Sequence, residues 1–167
     1  EFEGASVPAG WSLDTTVGSQ DWTFGASGAG NTGGTDPFAT NAAIFDDDAA
    51  GLGSVNNASL VSDVYDATGA TGVTLNYDYS FNELGAGETL TVDVWDGSAW
   101  QQVALYDTSA LTPTNSGDID VLAYANSGLQ VRFTYDDAGS WGWNAGVDNF
   151  MLTVETPPAP PLELDLN

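Results

Sequence analysis

The chain has 167 residues, enough for one domain with a real core, and 42% of them are hydrophobic. Its 24 acids stand against one basic residue, Arg132, for a formal charge of −23. That balance excludes ordinary nucleic-acid binding and argues against anionic membrane surfaces, both of which call for Lys and Arg. With no Cys and no His, disulfides, thiol nucleophiles, imidazole bases and zinc sites of the usual kind are excluded too.

Taken in order, the chain reads as strands. No long apolar pattern with a period near 3.6 is present. In the first third, Trp11, Trp22 and Phe24 are separated by polar and glycine-rich stretches, and Gly25 to Thr35 has the composition of a surface loop. Asn41 to Phe45 is expected to be a short strand leading into Asp46, Asp47 and Asp48, read as a loop. Another loop follows at Gly51 to Asn57, and then a strand from Ala58 to Tyr65. Val73, Leu75, Tyr77 and Tyr79 alternate with polar residues, as do Leu90, Val92 and Val94, and Leu129, Val131, Phe133 and Tyr135. A period of two with one apolar face means antiparallel strands over a shared core. Asp96-Gly97, between Val94 and Trp100, reads as a hairpin turn. The pattern predicts an all-β, two-sheet antiparallel β-sandwich of the jelly-roll kind over residues 1–155. Residues 156–167 carry four prolines and read as a linker, with Leu162 to Asn167 opening a following domain, so further modules of the same polypeptide are expected. The excised module is expected to be monomeric.

The stretch Asp136 to Leu152 gathers the chemistry: two acids and two tryptophans in a loop, then a strand that places Asp148 near its start. An acid at a strand start beside an acid-rich loop is a natural cation ligand, and calcium takes six to eight oxygens. The expected calcium set is Glu3, Asp46, Asp47, Asp48, Asn57 and Asp148, drawn from the beginning, middle and end of the chain around one ion. A formal charge of −23 adds to the demand for cations. The plain reading of the three acids is a solvated loop.

Trp141 and Trp143 can form a stacking platform for sugar rings, with Asp136, Asp137 and Asn144 supplying hydrogen bonds; the plain reading is that they cap the sandwich end. A second surface is the outward face of the strands, with Asn76, Asp78, Asp93, Trp95, Gln130 and Arg132, provided their strands share a sheet. Arg132 is favoured as a structural partner of Asp78 or Asp93. Trp11, Trp22, Trp100 and Tyr124 are expected to pack in the core.

These residues resemble the MAM-like jelly rolls of bacterial secreted proteins, including the cleaved-adhesin and choice-of-anchor modules. Phe2-Glu3-Gly4, Pro8 and Gly10-Trp11 are similar to that family's opening "FEG…P…GW". Leu60-Val61-Ser62 with Tyr65-Asp66 resembles its "L-x-S-P-x-x-D", although Asp63 stands where Pro is frequent. Tyr77-Asp78-Tyr79 resembles "F-D-Y", Ile119-Asp120-Val121 with Ala123-Tyr124 resembles "I-D-L-x-x-Y", and Val131-Arg132-Phe133 with Val147-Asp148-Asn149 resembles the closing "V-x-F" and "I-D-N". The resemblance spans residues 2–154 and implies a calcium-binding jelly roll that serves as a non-catalytic attachment on secreted proteases, glycoside hydrolases and adhesins.

With 24 acids, some carboxylate pair always falls at glycosidase spacing, so spacing is no evidence of catalysis. A hydroxyl nucleophile without His would need Lys, which is absent. The expected function is a carbohydrate-binding module of a secreted or surface protein, holding polysaccharide or another glycan. The alternative is a structural or adhesive spacer with protein ligands.

Overall fold

The computed structural model describes residues 2–25, 38–85 and 87–158. The glycine-rich stretch after Gly25 and the tail from Ala159 lie outside the described residues. Two antiparallel sheets pack face to face, as the alternating pattern predicts. The five-stranded sheet runs in the order β1 (Ser12–Val17), β4 (Asn57–Val61), β10 (Val131–Asp136), β6 (Thr89–Trp95) and β7 (Trp100–Tyr106). The other sheet runs β2 (Thr23–Gly25), β3 (Ala42–Asp46), β11 (Asn144–Glu155), β5 (Gly72–Asn82) and β8 (Ala110–Asn115), with the short β9 (Ile119–Asp120) also on β5. Pro113 sits within β8, an edge strand, where a missing N–H breaks no ladder. No helix among the described residues is long and apolar enough to cross a membrane.

The core comes from the inward residues of both sheets. Leu90, Val92 and Val94 of β6, Val131, Phe133 and Tyr135 of β10, and Val73, Leu75, Tyr77 and Phe81 of β5 are all buried. Each such side chain contributes on the order of 1.5–3 kcal/mol by leaving water. Trp11 and Trp22 join this core as expected. Trp11 packs edge-on against Phe2 and Phe150, and the Trp22 Nε1 donates to the Ala58 carbonyl at 3.1 Å. Tyr124 is partly buried against the core.

Two local readings change. The acid run is not a loop: Asp46 ends β3 and caps a single helical turn, α1 (Asp47–Ala50), with its Oδ1 accepting from the Ala49 N–H. A carboxylate at that position satisfies an otherwise free N–H, which is why acids suit the spot. The strand expected from Ala58 to Tyr65 stops at Val61, and Tyr65 returns only as an isolated bridge to Leu129. The first strand, β1, does not lie beside the last, β11. Glu3 precedes β1, β1 pairs β4, and β11 lies in the opposite sheet.

Candidate functional site

The outer face of the five-stranded sheet carries an aromatic and charged patch. On β6 the inward Leu90, Val92 and Val94 leave Asp93 and Trp95 facing out. Trp95 pairs in register with Trp100 of β7, and their rings meet edge-on at 5.5 Å. Arg132 of β10 lies opposite Asp93 and gives it two hydrogen bonds, from Nε at 3.1 Å and Nη2 at 2.8 Å, both to Oδ2. Its guanidinium rests over the Trp100 ring, 4.5 Å from the centroid. The sole cation is therefore clamped from two sides. Trp100 is thus a half-buried residue of this face and not of the core.

The Asp96–Ala99 hairpin turn fixes both tryptophans. Gly97 adopts φ 96°, a conformation that glycine takes without strain. The Asp96 Oδ1 accepts from the Ala99 N–H and from the Ser98 N–H and hydroxyl, and its Oδ2 accepts from the Gln101 amide. These donors hold the Asp96 carboxyl well below its ordinary range, at about 2, with the Ala99 N–H the largest cause. Of the residues expected on one surface, Asn76 and Asp78 belong to β5 in the other sheet, so they do not join Asp93, Trp95 and Arg132. Alternation tells which side chains face out but not which sheet they face out from.

The Trp141–Trp143 loop is built differently. The two rings lie 5.1 Å apart, but the Trp141 Nε1 is buried without a partner. The expected polar companions are turned inward or engaged. Asp137 is fully buried, with Oδ1 accepting from the Gly139 N–H at 2.8 Å and Oδ2 from the Asn56 N–H. Asp136 accepts from the Ala138 N–H and the Asn57 amide. Asn144 is buried on β11 opposite Asp46. None of the three presents a free polar group beside the two indoles.

The expected calcium set separates. Asp148 and Asp46 sit at opposite ends of the β3–β11 ladder, since Asn144 pairs Asp46 and Val147 pairs Ala43. Four residues of strand put them roughly 13 Å apart. Asn57 lies on the outer face of the five-stranded sheet, tied to the Thr16 hydroxyl and to Asp136. Glu3, Asp46, Asp47, Asp48, Asn57 and Asp148 therefore do not fit around one ion, and no group of three acids among the described residues is arranged as a metal-binding set. What stays together is smaller. Thr40 donates to the Asp148 Oδ2 at 3.2 Å, and the neighbouring Asn41 donates to the Glu3 carbonyl. The Asp148 Oδ1 is buried without a partner, so this corner does fit a cation.

A second group stands at the other end of the sandwich. Asp47, Glu88 and Asp137 are each fully buried, from α1, the approach to β6 and the β10–β11 loop. Asn56, also buried, donates from its side chain to Asp47 at 2.6 Å and from its backbone to Asp137. Gly142 gives its N–H to the Asp47 Oδ2, and a Cβ there would collide with the Tyr135 hydroxyl and the Glu88 carboxylate. The Asp47 carboxyl is pushed up, first by burial and then by Asp137 and Glu88, against the pull of the Gly142 and Asn56 donors. The Tyr135 hydroxyl is raised for the same two reasons, burial and the surrounding carboxylates. Sequence reasoning missed Glu88 and Asn56 and took Tyr135 for plain core. The one available signal was an acid directly before a strand start, at Glu88-Thr89.

No protein-family model matches the chain, and no curated protein is similar to it in sequence. Solved structures are similar to it in fold. A cleaved adhesin domain of Lys-gingipain from Porphyromonas gingivalis aligns at 15% identity over 91% of this chain and 94% of that one, with a TM-score of 0.66. TmCBM61 in complex with β-1,4-galactotriose aligns at 14% identity over 92% and 94%, with a TM-score of 0.59. A cyclase from Fischerella sp. TAU aligns at 18% identity over 93% and 89%, with a TM-score of 0.57. These likenesses establish the β-sandwich jelly roll, a fold that serves adhesin, sugar-binding and enzyme proteins alike.

Proposed function

We propose that this protein is a non-catalytic carbohydrate-binding module of a larger secreted or surface protein, and that it takes glycan on the outer face of its five-stranded sheet. The observation that carries the reading is the Trp95–Trp100 pair, held at outward, register-matched positions beside Arg132 and Asp93. Sugar rings present C–H faces that stack on indole planes, and charged and amide groups nearby fix the hydroxyls. The exposed Gln102, opposite Asp93, supplies such an amide, while the half-buried Gln130, level with Trp95, gives its Nε2 to the Ser62 carbonyl. The sheet face is preferred to the Trp141–Trp143 loop because the exposed Gln102 stands on it, whereas Asp136, Asp137 and Asn144 are buried or engaged. Fold likeness to TmCBM61 in its galactotriose complex is in keeping with this reading. A structural calcium ion at the Glu3–Asp148 corner belongs to it too, supported by the partnerless Asp148 Oδ1.

The test is affinity electrophoresis through gels containing a panel of soluble polysaccharides. The wild-type chain is expected to be retarded by at least one of them, and Trp95→Ala, shown to be folded by circular dichroism, is expected to lose at least tenfold in affinity. A wild type retarded by none, or a folded Trp95→Ala with full retention, removes this face as the site.

A further inference from the structure

The outer face of the five-stranded sheet holds the chain's single basic residue, yet its own charge is negative. Arg132 gives Nε and Nη2 to Asp93, and its plane lies over the Trp100 ring. That pair is neutral as a unit. The acids around it have no base to offset them. Asp96 follows Trp95 directly, in the turn that leads to Trp100, and its carboxyl is ionised above about pH 2. Asp136 lies on the same strand as Arg132 and, four residues on, on the same outer side. Its partners, the Ala138 N–H and the Asn57 amide, are uncharged. Asp14 is exposed on β1, level with Ser59, which is in turn level with Thr134 of the same outward row. The other polar groups near the tryptophans are neutral: the exposed Gln102 beside Asp93, and the half-buried Thr91 between Thr134 and Leu105.

We infer, on the basis of the glycan reading above, that this face takes uncharged polysaccharide and rejects chains that carry carboxylate or sulfate groups. An anionic sugar is held by a cation with donors to give, most often Arg or Lys. Here the one cation is already engaged. Turning it to a ligand would part it from Asp93, which is 7% exposed, and leave that charge buried and unpaired. Repulsion adds to this. Salt screens exposed charges over roughly 8 Å, and Asp96, next in the chain to Trp95, falls within that reach of the stacking rings. The rest of the 24 acids contribute a far field that grows as salt is removed. A neutral sugar meets none of these penalties. Its hydroxyls donate to carboxylates and exchange hydrogen bonds with Gln102 and Thr91, while its C–H face stacks on indole.

The experiment is calorimetric titration with pairs of polysaccharides that share a backbone and differ in charge: hydroxyethylcellulose and carboxymethylcellulose, carboxyl-reduced and native polygalacturonate, desulfated and native carrageenan. Each pair is run at low and at physiological salt, with calcium and with chelator. In at least one pair the neutral member is expected to bind with an affinity that salt leaves unchanged, and the acidic member to bind about tenfold more weakly or not at all. Gln102→Lys places a free cation at an exposed position of the face and is expected to close most of that gap. An acidic member that binds as tightly as its neutral partner, or more tightly, in any of these conditions overturns the selectivity and leaves the glycan reading standing. A folded Gln102→Lys with the gap unchanged overturns it too, since charge would not then be its cause. Binding of neither member of any pair removes the glycan reading itself, and the selectivity with it.

Discussion

Two regions of this molecule handle charge in opposite ways. At the closed end, Asp47, Glu88 and Asp137 are buried together and accept from backbone and amide donors. On the outer face of the five-stranded sheet, Asp93 has the only basic residue as its partner and two tryptophans alongside. The closed end is tied by donors of its own chain. The sheet face has what a surface needs to stay rigid while remaining partly open. Placing the single Arg at the face and not among the buried acids argues that the face is shaped for a partner.

The sharpest way to break this contrast is at Asn56. Its side chain links Asp47 to the Gln20 N–H, and its backbone N–H reaches Asp137. Asn56→Ala removes a buried amide and leaves a buried carboxylate oxygen without its donor. A loss of about 2–4 kcal/mol is expected, because an unsatisfied buried polar group costs its full desolvation, more when charged. Chemical denaturation checks it. A loss under about 0.5 kcal/mol would show the network to be solvated and the closed end not closed.

Arg132→Ala is the matching change on the face. Asp93 is 7% exposed and would lose its only ion-pair partner, and Trp100 would lose the guanidinium over its ring. Because the Arg132 side chain is itself 26% exposed, the loss is discounted for solvent to about 1–2 kcal/mol. Arg132→Lys keeps the charge but not the planar stack, and is expected to recover about half of that. Equal stability of the wild type and both variants would mean that neither the charge nor the geometry matters, and the clamp would be incidental.

The fold was legible because alternation is local. Val73 to Tyr79, Leu90 to Val94 and Leu129 to Tyr135 each show their inward side without reference to any other strand. The site was legible only in part, because a site depends on which strands become neighbours. Arg132 with Asp93 was among the pairs anticipated, but Asp78 entered that list on an equal footing and lies in the other sheet. Asp46 to Asp48 stood out as a run, yet the run turns a helical corner, and only Asp47 enters the buried group. Glu88 could not be foreseen as Asp47's neighbour, since 41 positions separate them and only the sheet packing brings them together.

The gentlest probe compares one acid from each region by how its environment moves its proton. Burial raises the Asp47 carboxyl, whereas Asp96, half-buried at the hairpin that carries the tryptophan pair, is lowered to about 2 by the Ala99, Ser98 and Gln101 donors. An unfolded Asp titrates near 3.9, roughly. A carboxyl lowered by folding contributes stability that is fully present above the unfolded value and is lost as pH falls through about 2. The hairpin holding Trp95 and Trp100 should therefore keep its shape from neutral pH down to about 4, and loosen only in stronger acid. Carboxyl-carbon NMR should place the Asp96 midpoint near 2, with the Trp95 and Trp100 indole N–H signals unmoved above pH 4. A midpoint close to the unfolded value would mean that those donors are shared with water. The rigidity claimed for the tryptophan face would then rest on Arg132 alone, and glycan contacts would have to order the hairpin at their own cost.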